Sequence, residues 1–222
     1  MLPFKLSDVS AEGRDRPEGI RILMLGAHCD DIEIGCGGTI MRLLKEYKVD
    51  TVKWVVFTSN QVRREEAKEC ADVFLEGASK KDIMIHDFSD ALLPFFGKEV
   101  KKHFEDLKGF NPDMIFTHTR HDRHQDHKLL AEMTWNTFRN HTILEYEIPK
   151  YEGDLGHPNV FVTIPEPVAK RKADNIMNGY PSQANKQWFD RETFLALMRI
   201  RGIESASPTK YAEAFYASKV VM

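Results

Sequence analysis

Apolar strand-like segments and helix-like segments alternate along this chain, and the alternation restricts the fold more than any other feature of the sequence. The first apolar run, residues 20–25, ends at Gly26 and precedes a glycine-rich stretch and a segment with helical spacing at residues 39–47. The same order repeats at residues 52–58 and 64–74, 83–85 and 100–107, and 114–117 and 128–138. Strands that alternate with helices form parallel sheets, because the helices cross over the sheet faces. We therefore predict an α/β, Rossmann-like fold with a mostly parallel sheet and helices on both faces.

The last third of the chain is less regular than the rest. Its pattern predicts a strand at 160–163, helices at 167–177 and 191–201, and a final strand at 215–220. A chain of 222 residues with 42% hydrophobic and 29% charged residues is long enough for one large core. We predict a single domain over residues 1–222, with a polar leader at residues 1–18.

Composition argues against two classes of partner. The chain has 31 basic and 34 acidic residues, a net charge of -3, and this balance predicts no binding to nucleic acid. Its apolar runs are far shorter than the roughly 20 residues that a spanning helix needs, so we expect no integral membrane segment. Three cysteines and the lack of a recognisable secretory signal predict a cytoplasmic location.

Two clusters of histidine and acidic side chains each follow a predicted strand. The first is Ala-His-Cys-Asp-Asp-Ile-Glu at residues 27–33, and the second runs over residues 118–127 and holds four of the nine histidines. Ligands of open α/β sheets bind beyond the carboxyl ends of the strands. Together the clusters supply the His and Asp side chains of an open catalytic zinc site, which has three protein ligands and a fourth position for water.

Simpler interpretations of these clusters exist. Asp30 and Asp31 could cap the next helix, and the histidines could belong to a solvated loop. Crowded carboxylates nevertheless cost stability unless a cation lies among them, which favours a metal site. The glycines at residues 35–38 do not match the dinucleotide pattern G-x-G-x-x-G, and the nearby acidic residues would repel a pyrophosphate.

These residues resemble the PIG-L/LmbE-like zinc-dependent de-N-acetylases, which remove acetyl groups from N-acetylated sugars. The family signature A-H-P-D-D-E is similar to residues 27–33, and the family element H-x-D-H is matched at residues 124–127. The resemblance continues over most of the chain, through Arg63, Glu66, Asp90, Leu93-Pro94, Ser182-Gln183 and residues 211–215.

The resemblance implies one Zn²⁺ per chain, with His28, Asp31 and His127 as the ligands. Cys29 stands where the family usually has proline, and the acidic residue after the two aspartates is displaced by one position to Glu33. The thiol of Cys29 could itself meet a metal. We still expect histidine and aspartate to be the ligands.

The resemblance also implies catalytic and substrate-binding roles. Asp30 would be the general base, and His124 would be the general acid or oxyanion stabiliser, with Asp126 orienting it. Arg63 and Asp90 would bind sugar hydroxyls.

The implied activity is hydrolysis of the acetyl group from a small N-acetylated sugar or sugar conjugate, such as one based on N-acetylglucosamine, to acetate and a free amine. Two alternatives stay open. A metal-dependent phosphoesterase would use similar ligands but usually needs two metals about 3.5 to 4 Å apart. A non-catalytic nucleotide-sugar binding protein could have the same fold. The family also suggests a possible homo-oligomer.

Overall fold

The computed structural model describes residues 19–219, which form one seven-stranded sheet with six α-helices packed against it. The strands are β1 (Ile20–Gly26), β2 (Val49–Thr58), β3 (Lys81–Phe88), β4 (Met114–His118), β5 (Thr142–Tyr146), β6 (Val160–Thr163) and β7 (Ala212–Tyr216). The helices are α1 (Asp31–Glu46), α2 (Gln61–Phe74), α3 (Gly97–Leu107), α4 (Gln125–Thr137), α5 (Glu166–Gly179) and α6 (Arg191–Glu204).

The strand order is β3-β2-β1-β4-β5-β7-β6. The five strands from β3 to β5 are parallel, and β7 runs antiparallel to both of its neighbours. The predicted α/β fold with a mostly parallel sheet is confirmed. No helix within residues 19–219 is both long and apolar enough to cross a membrane.

The core is divided by the sheet into two apolar clusters. In β1, Ile22 and Met24 belong to the cluster under α1, α2 and α5, whereas Leu23 and Leu25 belong to the cluster under α3 and α4. Successive side chains of a strand point to opposite faces, so a strand covered by helices on both sides must be apolar throughout. This requirement explains the continuous apolar run in the sequence.

Element ends agree with the prediction to within three residues except in three elements. Helix α1 begins at Asp31 rather than at residue 39. The prediction missed its first turns because residues 31–41 are all buried, so no polar face reveals the helical period in the sequence. Strand β5 was not predicted, since the buried Glu145 interrupts its short apolar run. Strand β7 spans Ala212–Tyr216 rather than residues 215–220, so the prediction placed it about three residues too late. Residues 1–18 and position 220 lie outside the described residues.

The order of the strands places one crevice at the centre of the sheet. From β1 the chain proceeds to β2 and β3 on one side, and it then crosses to β4 on the other side of β1. Ligands of open α/β sheets bind at such a switch point, beyond the carboxyl ends of the two strands. The loops that follow β1 and β4 meet there.

Candidate metal and catalytic site

The two polar clusters converge at the carboxyl ends of β1 and β4. His28 Nδ1 lies 2.9 Å from His127 Nε2 and 3.3 Å from Asp31 Oδ2, and the last two atoms are 3.4 Å apart. Three ligand atoms of a tetrahedral zinc ion, each 2.0–2.1 Å from the metal, stand about 3.3 Å from one another. The three predicted ligands are buried, and the spacing of their donor atoms is consistent with a single metal ion.

Each of the two histidines has a carboxylate on its other ring nitrogen. Asp122 Oδ2 is 2.9 Å from His127 Nδ1, and Asp126 Oδ2 is 3.2 Å from His28 Nε2. Such carboxylates fix the tautomer of a metal-binding histidine and raise its basicity. When both rings are neutral, as metal binding requires, the two remaining nitrogens direct lone pairs toward Asp31 Oδ2. These three electron-rich atoms repel one another unless positive charge lies among them, so the donor set fits a cation.

The protonation of the site is shaped by burial and by the crowding of charges. Burial alone would raise the pKa of Asp31, but the imidazoles of His127, His118 and His28 hold it well below its usual value. Burial lowers the pKa of His127 to about 3, with a further contribution from His118. The pKa of His28 is raised well above its usual value, because Asp31 and the other neighbouring carboxylates outweigh the opposing effect of burial. Asp31 and His127 are therefore already in the deprotonated forms that bind metals.

Asp30 lies beside the donor set with one oxygen held and the other free. Its Oδ1 accepts a hydrogen bond from Arg63 Nη2 at 2.7 Å, while its buried Oδ2 has no hydrogen-bond partner among the described residues. Burial raises the pKa of Asp30 against the opposing effect of Arg63. The Arg63 side chain is only 16% exposed, and its guanidinium is paired with Asp30. The predicted contact of Arg63 with sugar hydroxyls stays a prediction.

His124 is the N-cap of α4. Its Nδ1 accepts a hydrogen bond from the backbone N–H of Asp126 at 3.3 Å, and its ring centroid lies 4.8 Å from that of His28. A neutral imidazole that accepts at Nδ1 carries its proton at Nε2. His124 can therefore donate a hydrogen bond beside the donor set.

The Asp126 carboxylate makes no hydrogen bond to His124 among the described residues, whereas the Asp126 backbone N–H donates to His124 Nδ1. The expected orienting role of Asp126 toward His124 stays a prediction. The Asp126 carboxylate instead contacts His28 and accepts hydrogen bonds from the backbone N–H groups of Ala91 at 2.8 Å and Leu93 at 3.1 Å. It therefore orients His28 and ties the loop after β3 to the site.

Asp90 lies at the mouth of the site. Its Oδ1 is 3.0 Å from His28 Nε2, and its side chain is 69% exposed. The hydrogen bond with His28 lowers the pKa of Asp90 to about 2. The carboxylate is thus ionised and accessible, and its predicted contact with sugar hydroxyls stays a prediction.

Cys29 and Glu33 are directed away from the donor atoms. The Cys29 thiol donates a hydrogen bond to the Thr58 carbonyl at 3.4 Å, and burial raises its pKa to about 12. The Tyr180 hydroxyl donates its one proton to the Cys29 carbonyl. Glu33 Oε1 lies 2.6 Å from the same hydroxyl oxygen, and burial raises the pKa of Glu33 to about 8. Tyr180 is fully buried, so it anchors this loop to α5.

Comparison with protein families identifies the chain. Residues 23–138, more than half of the sequence, match the PIG-L family, described as GlcNAc-PI de-N-acetylase. The chain belongs to the PIG-L family. The matched segment of this PIG-L family protein includes both polar clusters and the helix that carries Arg63.

Several solved structures have the same fold as this PIG-L family protein. N,N'-diacetylchitobiose deacetylase from Pyrococcus horikoshii is 21% identical, with a TM-score of 0.70 over 90% of this chain and 84% of the other. The conserved protein TT1542 from Thermus thermophilus is 19% identical, with a TM-score of 0.73 over 91% and 96%. GalB, the 4-carboxy-2-hydroxymuconate hydratase from Pseudomonas putida, is 15% identical, with a TM-score of 0.71 over 91% and 98%. At these identities the similarities establish the fold.

Two residues at the site of this PIG-L family protein were not assigned roles from the sequence. One is Asp122, described above, and the other is His118, whose ring stacks on that of His127 at 3.9 Å between centroids. His118 Nε2 accepts a hydrogen bond from the Ala27 N–H at 3.0 Å. His118 Nε2 also lies 3.2 Å from Asp31 Oδ2, and His118, Asp31 and His127 form a second group that could hold a metal ion. Both residues lie inside the predicted 118–127 cluster. The sequence does not tell which residues of the cluster bind a metal and which support the ligands, because this depends on interatomic distances in the folded chain.

Proposed function

We propose that this PIG-L family protein is a zinc-dependent hydrolase that removes the acetyl group from an N-acetylated sugar or sugar conjugate. The observation that carries the proposal is the convergence of His28 Nδ1, Asp31 Oδ2 and His127 Nε2 beside the free oxygen of Asp30. Family membership supports de-N-acetylation. The shared fold with a deacetylase of N,N'-diacetylchitobiose is consistent with an N-acetylated sugar as substrate.

Asp30 is the proposed general base. Zinc held by the three ligands would lower the pKa of a water molecule and polarise the acetyl carbonyl. Asp30 Oδ2 accepts the proton of the attacking water, while Arg63 holds Oδ1 and keeps the carboxylate from turning away. Burial makes this carboxylate a stronger base than an exposed aspartate.

His124 is the proposed hydrogen-bond donor to the acetyl oxygen, the oxyanion-stabilising alternative of the two roles expected from the sequence. Its Nε2–H stabilises the negative charge that develops on the acetyl oxygen, and the amino end of α4 favours negative charge at the same place. As the C–N bond breaks, Asp30 passes the proton that it took from water to the departing amine nitrogen, so acetate and a free amine leave and Asp30 is ionised again. Asp90 accepts a hydrogen bond from a substrate hydroxyl through its exposed carboxylate.

The fold alone does not decide between this reaction and its alternatives, because the same fold belongs to a hydratase. Two groups that share no residue, Asp31 with His118 and His127, and His28 with Asp90 and Asp126, could each hold a metal ion, so the metal count decides between this reaction and a two-metal phosphoesterase. A binding protein would not require the free, buried oxygen of Asp30 next to the donor set.

The test combines metal content with acetate release. Zinc is counted by elemental analysis in the wild type, in Asp31→Ala with His127→Ala, and in Asp30→Asn. Acetate release is then measured on N-acetylglucosamine, N,N'-diacetylchitobiose and a nucleotide-linked N-acetylglucosamine. We expect about one zinc per chain in the wild type, none in the double variant, and retained zinc with little acetate release in Asp30→Asn.

Other outcomes would contradict the proposal. About two zinc ions per chain together with phosphoester hydrolysis would identify a phosphoesterase. Sugar binding that persists unchanged after chelation, without acetate release, would identify a binding protein. The homo-oligomer, the absence of nucleic-acid binding and the cytoplasmic location stay predictions.

A further inference from the structure

Helix α1 is broken at Cys36, where φ is -146° and ψ is 18°. In a regular helix the N–H of Gly38 would donate to the carbonyl of Ile34, four residues earlier. Here the Gly38 N–H donates to Glu213 Oε1 at 2.8 Å, and the Ile34 carbonyl accepts from Lys172 Nζ at 2.6 Å. Lys172 Nζ and Glu213 Oε1 are themselves 2.5 Å apart. A buried ion pair is thus inserted at the place of one helical hydrogen bond.

The two charges are matched to the two halves of the broken helix. Glu213 Oε2 also accepts from the Thr39 N–H at 2.6 Å, so the carboxylate caps the amino end of the second half. The Lys172 ammonium lies at the carboxyl end of the first half, where a positive charge is favourable. Both side chains are only 2% exposed, so their hydrogen bonds must offset a large desolvation cost.

The first half of α1 carries part of the proposed metal site. It begins at Asp31, whose Oδ2 belongs to the donor set and accepts the His28 N–H at 2.6 Å. A change of the bend at Cys36 would rotate this short helical turn and move the Asp31 carboxylate. We propose that the Lys172–Glu213 pair, here called the α1 bridge, holds α1 bent and thereby positions Asp31 for the metal. This inference rests on the metal site proposed above.

The α1 bridge comes from elements that carry none of the proposed ligands. Lys172 lies on α5 and Glu213 on β7, and both lie outside the segment that matches the family, residues 23–138. The last third of the chain therefore contributes to the site by holding its main helix.

A second buried ion pair in the same region provides a matched control. Arg201 Nη2 is 2.6 Å from Glu147 Oε2, and their side chains are 5% and 4% exposed. This control pair and the α1 bridge line the same cavity of about 20 Å³. Glu147 also accepts hydrogen bonds from the Gly156 N–H and the Tyr216 hydroxyl, and the control pair makes no hydrogen bond to α1 among the described residues.

The experiment compares two double variants. One is Lys172→Met with Glu213→Gln, and the other is Arg201→Met with Glu147→Gln. Each removes both charges of a pair, so neither leaves a single buried charge without its partner. If the α1 bridge positions Asp31, only the first double variant should change the surroundings of Asp31. A general loss of stability would change them in both double variants.

Two readouts report on Asp31. In the metal-free proteins, hydrogen exchange of the His28 amide, which is bonded to Asp31 Oδ2, is measured by NMR. We expect exchange to be about tenfold faster in the bridge variant and unchanged in the control. Zinc affinity is measured by competition with a chelating dye, and we expect it to be about 10- to 100-fold weaker in the bridge variant only. If the bridge variant does not fold, Glu213→Gln alone is measured with the same expected directions.

The outcomes separate this inference from the proposed function. Equal changes in both double variants, or wild-type exchange and affinity in the bridge variant, would overturn the positioning role. A wild type that binds no zinc, combined with faster His28 exchange only in the bridge variant, would support the α1 bridge as the device that places Asp31 and would refute the proposed zinc hydrolase.

Discussion

Four histidines share one site, and their hydrogen-bond partners give them different roles. Asp126 holds Nε2 of His28 and Asp122 holds Nδ1 of His127, so these two rings present opposite nitrogens to the same point. His124 uses Nδ1 as an acceptor and keeps a proton at Nε2. Their clustering was evident from the sequence, but the nitrogen that each ring presents depends on neighbours that only the folded chain supplies.

The carboxylate behind His127 makes a testable contribution to metal binding. Replacement of Asp122 by Asn removes the negative charge 2.9 Å from His127 Nδ1 and turns one of the two acceptor oxygens, which serve the His124 N–H and His127 Nδ1, into an NH2 donor, so the tautomer of His127 is no longer fixed. We expect zinc affinity to fall by about 10- to 100-fold, measured by competition with a chelating dye. Asp87→Asn, at an exposed carboxylate next to Arg64, is the control and should leave the affinity unchanged. Equal affinities in the two variants would contradict the role of Asp122.

His124 should be needed for the reaction but not for the metal. His124→Ala removes the Nε2–H beside the donor set, and we expect acetate release to fall by about 10² to 10³ with zinc retained. Kinetics and elemental analysis on the same preparation check both expectations. The variant also loses the N-cap of α4, so its melting temperature is recorded. Loss of zinc in this variant would instead identify His124 as a ligand.

Helix α1 illustrates where sequence patterns stop being informative. Apolar spacing located only its second half, because side chains of the first half are buried on every side and include the carboxylates of Asp31 and Glu33. Strand β5 was missed because it contains the buried Glu145. The carboxylate of Glu145 accepts hydrogen bonds from the Arg120 N–H and the Trp135 indole N–H, which lie 25 and 10 residues earlier in the chain. Both elements contain buried polar residues whose hydrogen-bond partners lie elsewhere in the chain, so the spacing of apolar residues does not reveal them.

The link between α5 and the metal loop can be tested through one hydroxyl group. Tyr180 follows α5, and its hydroxyl group donates to the Cys29 carbonyl and contacts Glu33 Oε1. Tyr180→Phe leaves the buried Cys29 carbonyl without this donor and removes the contact with Glu33, and we expect a loss of about 1 to 3 kcal/mol in the free energy of unfolding. Urea denaturation checks this value. Tyr151→Phe, at a side chain that is 70% exposed, should change the stability little. Equal losses in both variants would contradict the anchoring role.

The position of the site follows from the topology of the entire sheet. The sequence was sufficient to place two polar clusters after two parallel strands, and the switch point between β1 and β4 brings them together. The contributions of Lys172, Tyr180 and Glu213 could not be predicted, because these residues are distant in sequence from the clusters and have no motif of their own. Long-range contacts of this kind emerge only from the packing of the complete fold.

The stability of the molecule should depend on pH through His86 on β3. Burial and the nearby His103, whose ring centroid is 4.1 Å away, lower the pKa of His86 to about 4. Asp87 opposes and Arg64 reinforces this shift. The unfolded chain, with a histidine pKa near 6.5, therefore binds more protons between about pH 6.5 and 4. Stability is full above about pH 6.5 and falls as the pH approaches 4.

Urea denaturation of wild type and His86→Phe at about pH 7.5 and pH 5 measures this dependence. Phenylalanine does not titrate, and it removes the buried Nε2 that has no partner within residues 19–219. We expect a smaller loss of stability at the lower pH in His86→Phe than in the wild type. The exposed His157→Phe is the control and should retain the wild-type dependence. An unchanged dependence in His86→Phe would contradict the assignment.

The α1 bridge also has a consequence for the order of events during translation. His127, the last of the three proposed ligands, leaves the ribosome 86 positions before Glu213. At about 5 to 20 residues per second, the nascent chain displays all three ligands for roughly 4 to 17 s before β7 exists to hold α1. Throughout this interval Asp31 is not yet fixed next to the two histidines. Synthesis therefore favours loading of the ion onto the finished protein rather than onto the growing chain.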